Sequence, residues 1–222
     1  MKVNNHSTQS STDKENPFIT KEAFCRFCGL LYQAKLVSGV GGNVSARGPE
    51  GIFLTPSGYS LRDVTVSMVA IVDEKGSLLD GPRPTKDMDM HLGILQARPE
   101  VNVVCHVHGA DLIAASCLIK PGPDTLPPIT PGFVYYAHPL AMIPFMVPGS
   151  KALTRTVTEH FSKTSSLALL MQNHGLVTVG KDFDEALNIA EEIDEAAKIF
   201  LLTNGTPQVI SKEDIMEIKK LK

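Results

Sequence analysis

The sequence predicts an α/β or α+β sandwich built on a mixed sheet, and three observations carry that expectation. Short β-type runs gather mainly in the middle of the chain, helical patterns flank them on either side, and the two do not alternate strictly as βαβ units. With 222 residues, 43% of them hydrophobic and 20% charged, the chain can bury a core within one large domain.

Taken in order, residues 1–17 are almost wholly polar and are expected to form a loose leader, with structure beginning near Pro17 and a single domain filling 18–222. Thr20 is an N-cap candidate for a helix to about Leu36, because Phe24, Phe27, Leu30, Leu31 and Ala34 recur at helical spacing. The glycines Gly39, Gly41 and Gly42 end it. Residues 44–47, 52–55, 68–72 and 77–79 read as a meander of short strands separated by turns at 48–51, 56–58 and 73–76. A helix over 87–98 stops at Pro99, and the apolar run 101–106 is a buried strand leading into a helix over 111–118. The proline-rich stretch 121–132 reads as a loop. Ser150 caps a helix to about Ser162, strands cover 167–171 and 176–179 around Asn-His-Gly, and a long helix spans 183–203 with Glu191, Glu192, Asp194 and Glu195 exposed. A last short helix begins at Ser211.

Composition excludes several functions. Lys plus Arg is 21 and Asp plus Glu is 24, a net charge of −3, so no basic excess exists to follow a nucleic-acid backbone. No apolar run approaches the length of a membrane span and the N-terminus lacks a signal peptide's apolar centre, which makes the cytosol the default compartment. Four cysteines are too few for a disulfide scaffold and are expected to be free thiols.

The sharpest chemical signal is His106-Val107-His108, because two imidazoles at i and i+2 on a strand share a face and can grip one metal ion. A third ligand must come from elsewhere, and His174 stands at a strand end with Gly175 behind it. Alone, such a pair is more often a half-exposed feature of a strand. Gly41-Gly42-Asn43 and Thr55-Pro56-Ser57-Gly58 are small-residue turns whose N–H groups suit an anionic oxygen, although neither is a nucleotide fingerprint. Pro84-Thr85-Lys86-Asp87 places a hydroxyl, an ammonium and a carboxylate at a helix start, while Asp89 and His91 read as ordinary decoration of that helix. Cys25, Cys28 and Cys105 read as packing.

Taken together, Gly-Gly-Asn-Val-Ser-Ala-Arg (41–47), Leu-Thr-Pro-Ser-Gly (54–58), Pro-Thr-Lys-Asp (84–87) with His91, the stretch 97–108 ending in His-Val-His, and Asn-His-Gly-Leu (173–176) resemble the class II aldolase/adducin family over residues 20–205. The resemblance implies a three-layer αβα sandwich with a mixed, mainly antiparallel central sheet. It further implies that His106, His108 and His174 hold a divalent metal, usually zinc and otherwise an ion such as Mn2+ or Co2+. Gly42, Asn43, Ser57, Gly58 and Thr85 would surround a substrate phosphate, and Asp87 would be the acid/base. The implied activity is a lyase that cleaves a C–C bond beside the carbonyl of a small phosphorylated sugar or sugar acid through a metal-bound enediolate. A cytoplasmic homotetramer with sites at its subunit interfaces is implied as well.

Three departures shape the expectation. Asp87 stands where the aldolases carry glutamate, one methylene or about 1.5 Å shorter, as in the epimerase branch. Lys86 replaces a small hydroxyl residue and adds a cation for a phosphate or a substrate carboxylate. The aldolase tyrosine after the histidine strand has no counterpart at 126–131, and no tyrosine follows Tyr136, which leaves Tyr135, Tyr136 and His138 as candidate proton donors. The Pro-Thr-Lys and Leu-Pro-Pro-Ile-Thr-Pro motifs are more similar to the branch of 3-oxo-tetronate 4-phosphate decarboxylases. A sugar-phosphate 4-epimerase and a non-catalytic adducin-like interaction module are the alternatives.

Overall fold

In the computed structural model, which describes residues 19–221, the elements run α1 (Lys21–Gln33), β1 (Asn43–Gly48), β2 (Gly51–Leu54), β3 (Ala70–Val72), β4 (Leu78–Asp80), α2 (Met88–Ala97), β5 (Val103–Val107), α3 (Ala110–Leu118), α4 (Pro131–Tyr136), β6 (Met142–Ile143), α5 (Lys151–Lys163), β7 (Ala168–Met171), β8 (Gly175–Gly180), α6 (Phe183–Leu202) and α7 (Lys212–Lys219). The expected leader, 1–17, lies outside the described residues. One eight-stranded sheet has the order β4-β3-β2-β1-β5-β8-β7-β6, and every pairing is antiparallel except β6 with β7.

Period-two alternation divides the core between the two faces of this sheet. Val44, Ala46, Val103, Cys105 and Val107 pack with Phe24, Phe27 and Leu31 of α1 and with the α6 residues Ile189, Ala190 and Ile193. Ile52, Leu54, Val104, Val177 and Val179 face the other way, onto Ile94 and Leu95 of α2 and Val157 and Phe161 of α5. Helices therefore cover both faces, the three-layer arrangement the family resemblance implied. Each large apolar side chain so buried contributes roughly 1.5–3 kcal/mol. Local signals start the helices: Thr20, Ser150, Asp182 and Ser211 accept N–H bonds at the N-caps of α1, α5, α6 and α7.

The structure corrects four local expectations. The third strand begins at Ala70 rather than Met68, because residues 66–68 wind into a 3-10 turn that the Val69 N–H closes on the Val66 carbonyl. The loop 121–132 ends early, because Thr130 caps α4 and Pro131 opens it. The short edge strand β6 had no periodicity to announce it, and its register comes from β7. On α6, Glu192 and Asp194 are half-buried rather than exposed.

Asp194 lies at the N-terminal end of α3, where a side chain on Gly109 would meet its Oδ1, an oxygen with no hydrogen-bond partner among the described residues. Burial, aided by the nearby Asp111 charge, pushes its pKa up to about 6. The folded state therefore favours the protonated carboxyl. That stability is complete below the unfolded value near 4 and is lost as pH rises through about 6. Asp194→Asn is expected to melt above the parent at pH 7.5 or so, with a Tm gain that grows from about pH 4 and levels off above the folded pKa. A gain independent of pH would contradict this account.

Candidate active site

The sheet register assembles the site. Asn43, the first residue of β1, pairs directly with His106 on β5, so both side chains stand at one end of the sheet on the face covered by α2. His108 lies two residues beyond His106, with its N–H bonded to the Leu36 carbonyl after α1. His174 arrives from the tight turn between β7 and β8, where Asn173 adopts a left-handed φ of 55° and donates its N–H to Ser116 Oγ at 2.9 Å. Two glycines make this convergence possible. Gly42, at φ 80°, would drive a Cβ to 2.9 Å from the His106 carbonyl oxygen and into Val37, and a Cβ on Gly175 would collide with the Val107 carbonyl and the His108 ring.

His106, His108 and His174 each present a ligating nitrogen, and these atoms all lie within 4.8 Å of one another. His106 donates its Nδ1–H to the Leu176 carbonyl at 3.0 Å, which leaves the Nε2 lone pair turned inward. That nitrogen accepts the Nε2–H of His108 at 2.8 Å, and His108 frees its own lone pair for a cation by carrying the hydrogen on Nδ1 instead. Burial disfavours the charged rings: the His106 pKa falls well below the usual imidazole range, that of His108 drops to about 4, and that of His174 is lowered. Neutral imidazoles that can turn lone pairs inward are what a divalent cation requires, and a backbone carbonyl on the far nitrogen of His106 is the usual way to fix such a ligand. His174 Nδ1 is buried with no partner among the described residues. The residues fit a metal.

Asp87 precedes α2, and its carboxylate accepts from Asn43 Nδ2 at 2.8 Å. Thr85 is buried, with its hydroxyl accepting the Asp87 N–H at 3.3 Å and its N–H donating to the Thr55 carbonyl. Ser57 donates its N–H to the Arg83 carbonyl, so the turn 55–58 and the segment 83–86 are zipped side by side. Gly58 has open space above it, and Lys86 is exposed with no ion pair among the described residues. Gly42, Asn43, Thr85 and Asp87 thus cluster around the histidines, with Ser57 and Gly58 on the adjoining rim, whereas Lys86 lines a separate cavity between α2 and α5 with Asp89, Lys151 and Arg155.

The candidate proton donors lie elsewhere. Tyr136 and His138 line a cavity of about 600 Å3 with Ser166 and Leu167, where the chain enters β7, whereas His174 follows the end where it leaves. Sequence reasoning also misjudged His91. It is completely buried and bonded at both ring nitrogens, to Ser45 Oγ at 2.8 Å and to Asn43 Oδ1 at 2.5 Å. The signal was present in the spacing of His91 with Ile94 and Leu95, which places it on the apolar face of α2.

The model of the class II aldolase and adducin N-terminal domain matches residues 22–201. The chain belongs to the class II aldolase and adducin family. It is 35% identical to the L-fuculose phosphate aldolase of Methanococcus maripaludis over 182 residues, 82% of this chain and 96% of that protein. It is 31% identical to the 3-oxo-tetronate 4-phosphate decarboxylase of Haemophilus influenzae, over 83% of this chain and 88% of that one. Among solved structures, YgbL of Escherichia coli, whose reaction is left open among aldolase, epimerase and decarboxylase, superposes with a TM-score of 0.83 at 28% identity, covering 90% of this chain and 97% of that one. The L-fuculose 1-phosphate aldolase of Glaciozyma antarctica gives 0.74 at 25% identity, over 90% and 80%. The class II aldolase fold expected from the motifs is the fold observed.

Proposed function

We propose that this family member is a divalent-metal-dependent lyase that cleaves the C–C bond beside the carbonyl of a small phosphorylated sugar or sugar acid. The observation that carries the reading is the convergence of three imidazoles beside a hydrogen-bonded carboxylate, Asp87, at one end of the sheet. A relative named aldolase and another named decarboxylase support it, since both reactions leave the electron pair of the broken bond next to a carbonyl. A divalent ion held by His106, His108 and His174, zinc before Mn2+ or Co2+, supplies positive charge where that carbonyl oxygen turns negative.

The chain's own residues do the rest. Asp87, fixed by Asn43, carries the proton to or from the carbon that loses its bond. The backbone at Gly42 and Gly58 with the hydroxyls of Ser57 and Thr85 takes the phosphate. Asn43 spends its carbonyl oxygen on His91 and one N–H on Asp87, which leaves a single N–H for that phosphate. The missing counterpart of the aldolase tyrosine at 126–131 favours decarboxylation over aldol cleavage, with Lys86, next to Asp87 in the chain, as the cation for an acid substrate.

The exposed side chains of Val40, next to Gly41 at the His108 ring, and Phe145, whose N–H bonds Gln172, offer apolar surface that a neighbouring copy in a homotetramer would cover. Four free cysteines support the cytoplasm as its compartment. Incubation of the metal-loaded protein with 3-oxo-tetronate 4-phosphate and with ketose phosphates, assayed for carbon dioxide, aldehyde and epimer, tests the reading. Carbon dioxide from the oxo acid is expected. Epimer without cleavage products, or no turnover of any compound, would overturn it.

A further inference from the structure

Four buried or half-buried side chains form an unbroken hydrogen-bonded line: Ser45 Oγ to His91 Nδ1 at 2.8 Å, His91 Nε2 to Asn43 Oδ1 at 2.5 Å, and Asn43 Nδ2 to Asp87 Oδ2 at 2.8 Å. We infer that His91 is a positioning residue, a neutral imidazole locked in its Nε2–H tautomer, which fixes the Asn43 amide so that Asp87 is held in one orientation beside the three histidines.

The proton positions follow from the last group in the line. A carboxylate only accepts, so Asn43 must turn its NH2 group to Asp87 and its carbonyl oxygen to His91. That oxygen also only accepts, so His91 Nε2 must carry hydrogen. Complete burial disfavours a charged ring, so Nδ1 keeps its lone pair and Ser45 donates its hydroxyl to it. The alternative tautomer would set two lone pairs against each other at 2.5 Å in a site closed to water. A flipped Asn43 would aim a carbonyl at the carboxylate.

The elements supply rigidity at both ends. His91 lies four residues after Asp87, so both groups project from the same side of the start of α2. Asn43 and Ser45 are alternate residues of β1 on the face turned to that helix, each in register with β5. Arg47, two residues further, binds the Leu95 and Val101 carbonyls and clamps β1 to the far end of α2. Asp87 is thereby tied to the strand that pairs with His106. A line of this kind removes rotamer freedom from a proton carrier without touching substrate.

This inference rests on Asp87 serving as the proton carrier, so its test has one arm that needs no turnover. In the metal-loaded protein at pH 7 or so, 15N spectra of the imidazoles should show His91 neutral with hydrogen on Nε2. A charged ring or an Nδ1–H tautomer would overturn the inference whatever reaction the protein performs. On the compound the product assay shows to be cleaved, His91→Phe should keep its metal content and a KM within about threefold while kcat falls about 10- to 100-fold. His91→Gln, which restores an N–H toward Asn43, should recover most of that loss. Equal kcat in wild type and His91→Phe, or a Gln variant as slow as the Phe variant, would contradict the role. Should the Phe variant fail to fold, the Gln variant and the tautomer decide. A protein that cleaves nothing yet shows the Nε2–H tautomer would sink the lyase reading and leave the hydrogen-bonded line standing.

Discussion

His106→Ala is expected to reduce bound metal from one ion per chain to a trace and to lower turnover at least about 1,000-fold, while the protein remains folded. The rate estimate follows from the several kcal/mol that a metal's charge contributes at an oxygen turning negative, at about 1.4 kcal/mol per tenfold in rate. Folding should survive, because the change removes one imidazole and its bond to the Leu176 carbonyl, while β5 stays paired on both sides, with β1 and β8. Elemental analysis beside a far-ultraviolet circular dichroism spectrum checks it. Equal, negligible metal in wild type and variant would contradict the reading of the three histidines, as would full turnover in the variant.

Asp87→Asn is expected to lower kcat by about 100- to 10,000-fold, the range typical of a lost acid/base, with metal content unchanged. Asparagine is nearly isosteric, and its Oδ1 can still accept from Asn43 Nδ2, so geometry and packing are preserved while the group that carries the proton is gone. The contrast between the two variants separates the roles, since one should lose metal and rate together and the other rate alone. A variant that turned over the true substrate at the parental rate would remove Asp87 from the mechanism and pass the role to another group.

Much of this architecture is legible in the sequence because the residues that build it obey local rules. Thr20, Ser150 and Ser211 announce helices whose caps the structure contains, and the apolar run before His106 becomes a strand buried on both faces. The two-residue period also places His106 and Cys105 on opposite sides of β5, which separates a core thiol from a site imidazole. What escaped depends on contacts distant in sequence. β6 has only two residues and takes its place from β7. Asp194 looked solvated because its neighbours on α6 are charged, yet it stands over the N-terminus of α3. By sequence His91 reads as decoration because it shares its helix with the polar Asp87 and Asp89, and only the crossing of α2 over β1 reveals that its ring is closed in between Ser45 and Asn43. Tyr136 and His138 are candidate proton donors by residue type alone, and the fold carries them to the other end of the sheet from the histidines.

The most direct test of a metal-dependent lyase is turnover followed through removal and return of the metal. The protein is stripped with a chelator, dialysed, confirmed metal-free by elemental analysis, and then titrated with Zn2+, Mn2+ or Co2+ while carbon dioxide and aldehyde release from the phosphorylated substrates are measured. Cleavage should vanish in the stripped protein and return in proportion to ion bound, saturating at one per chain. Undiminished cleavage by protein verified to be metal-free would contradict the assignment of His106, His108 and His174 at its root.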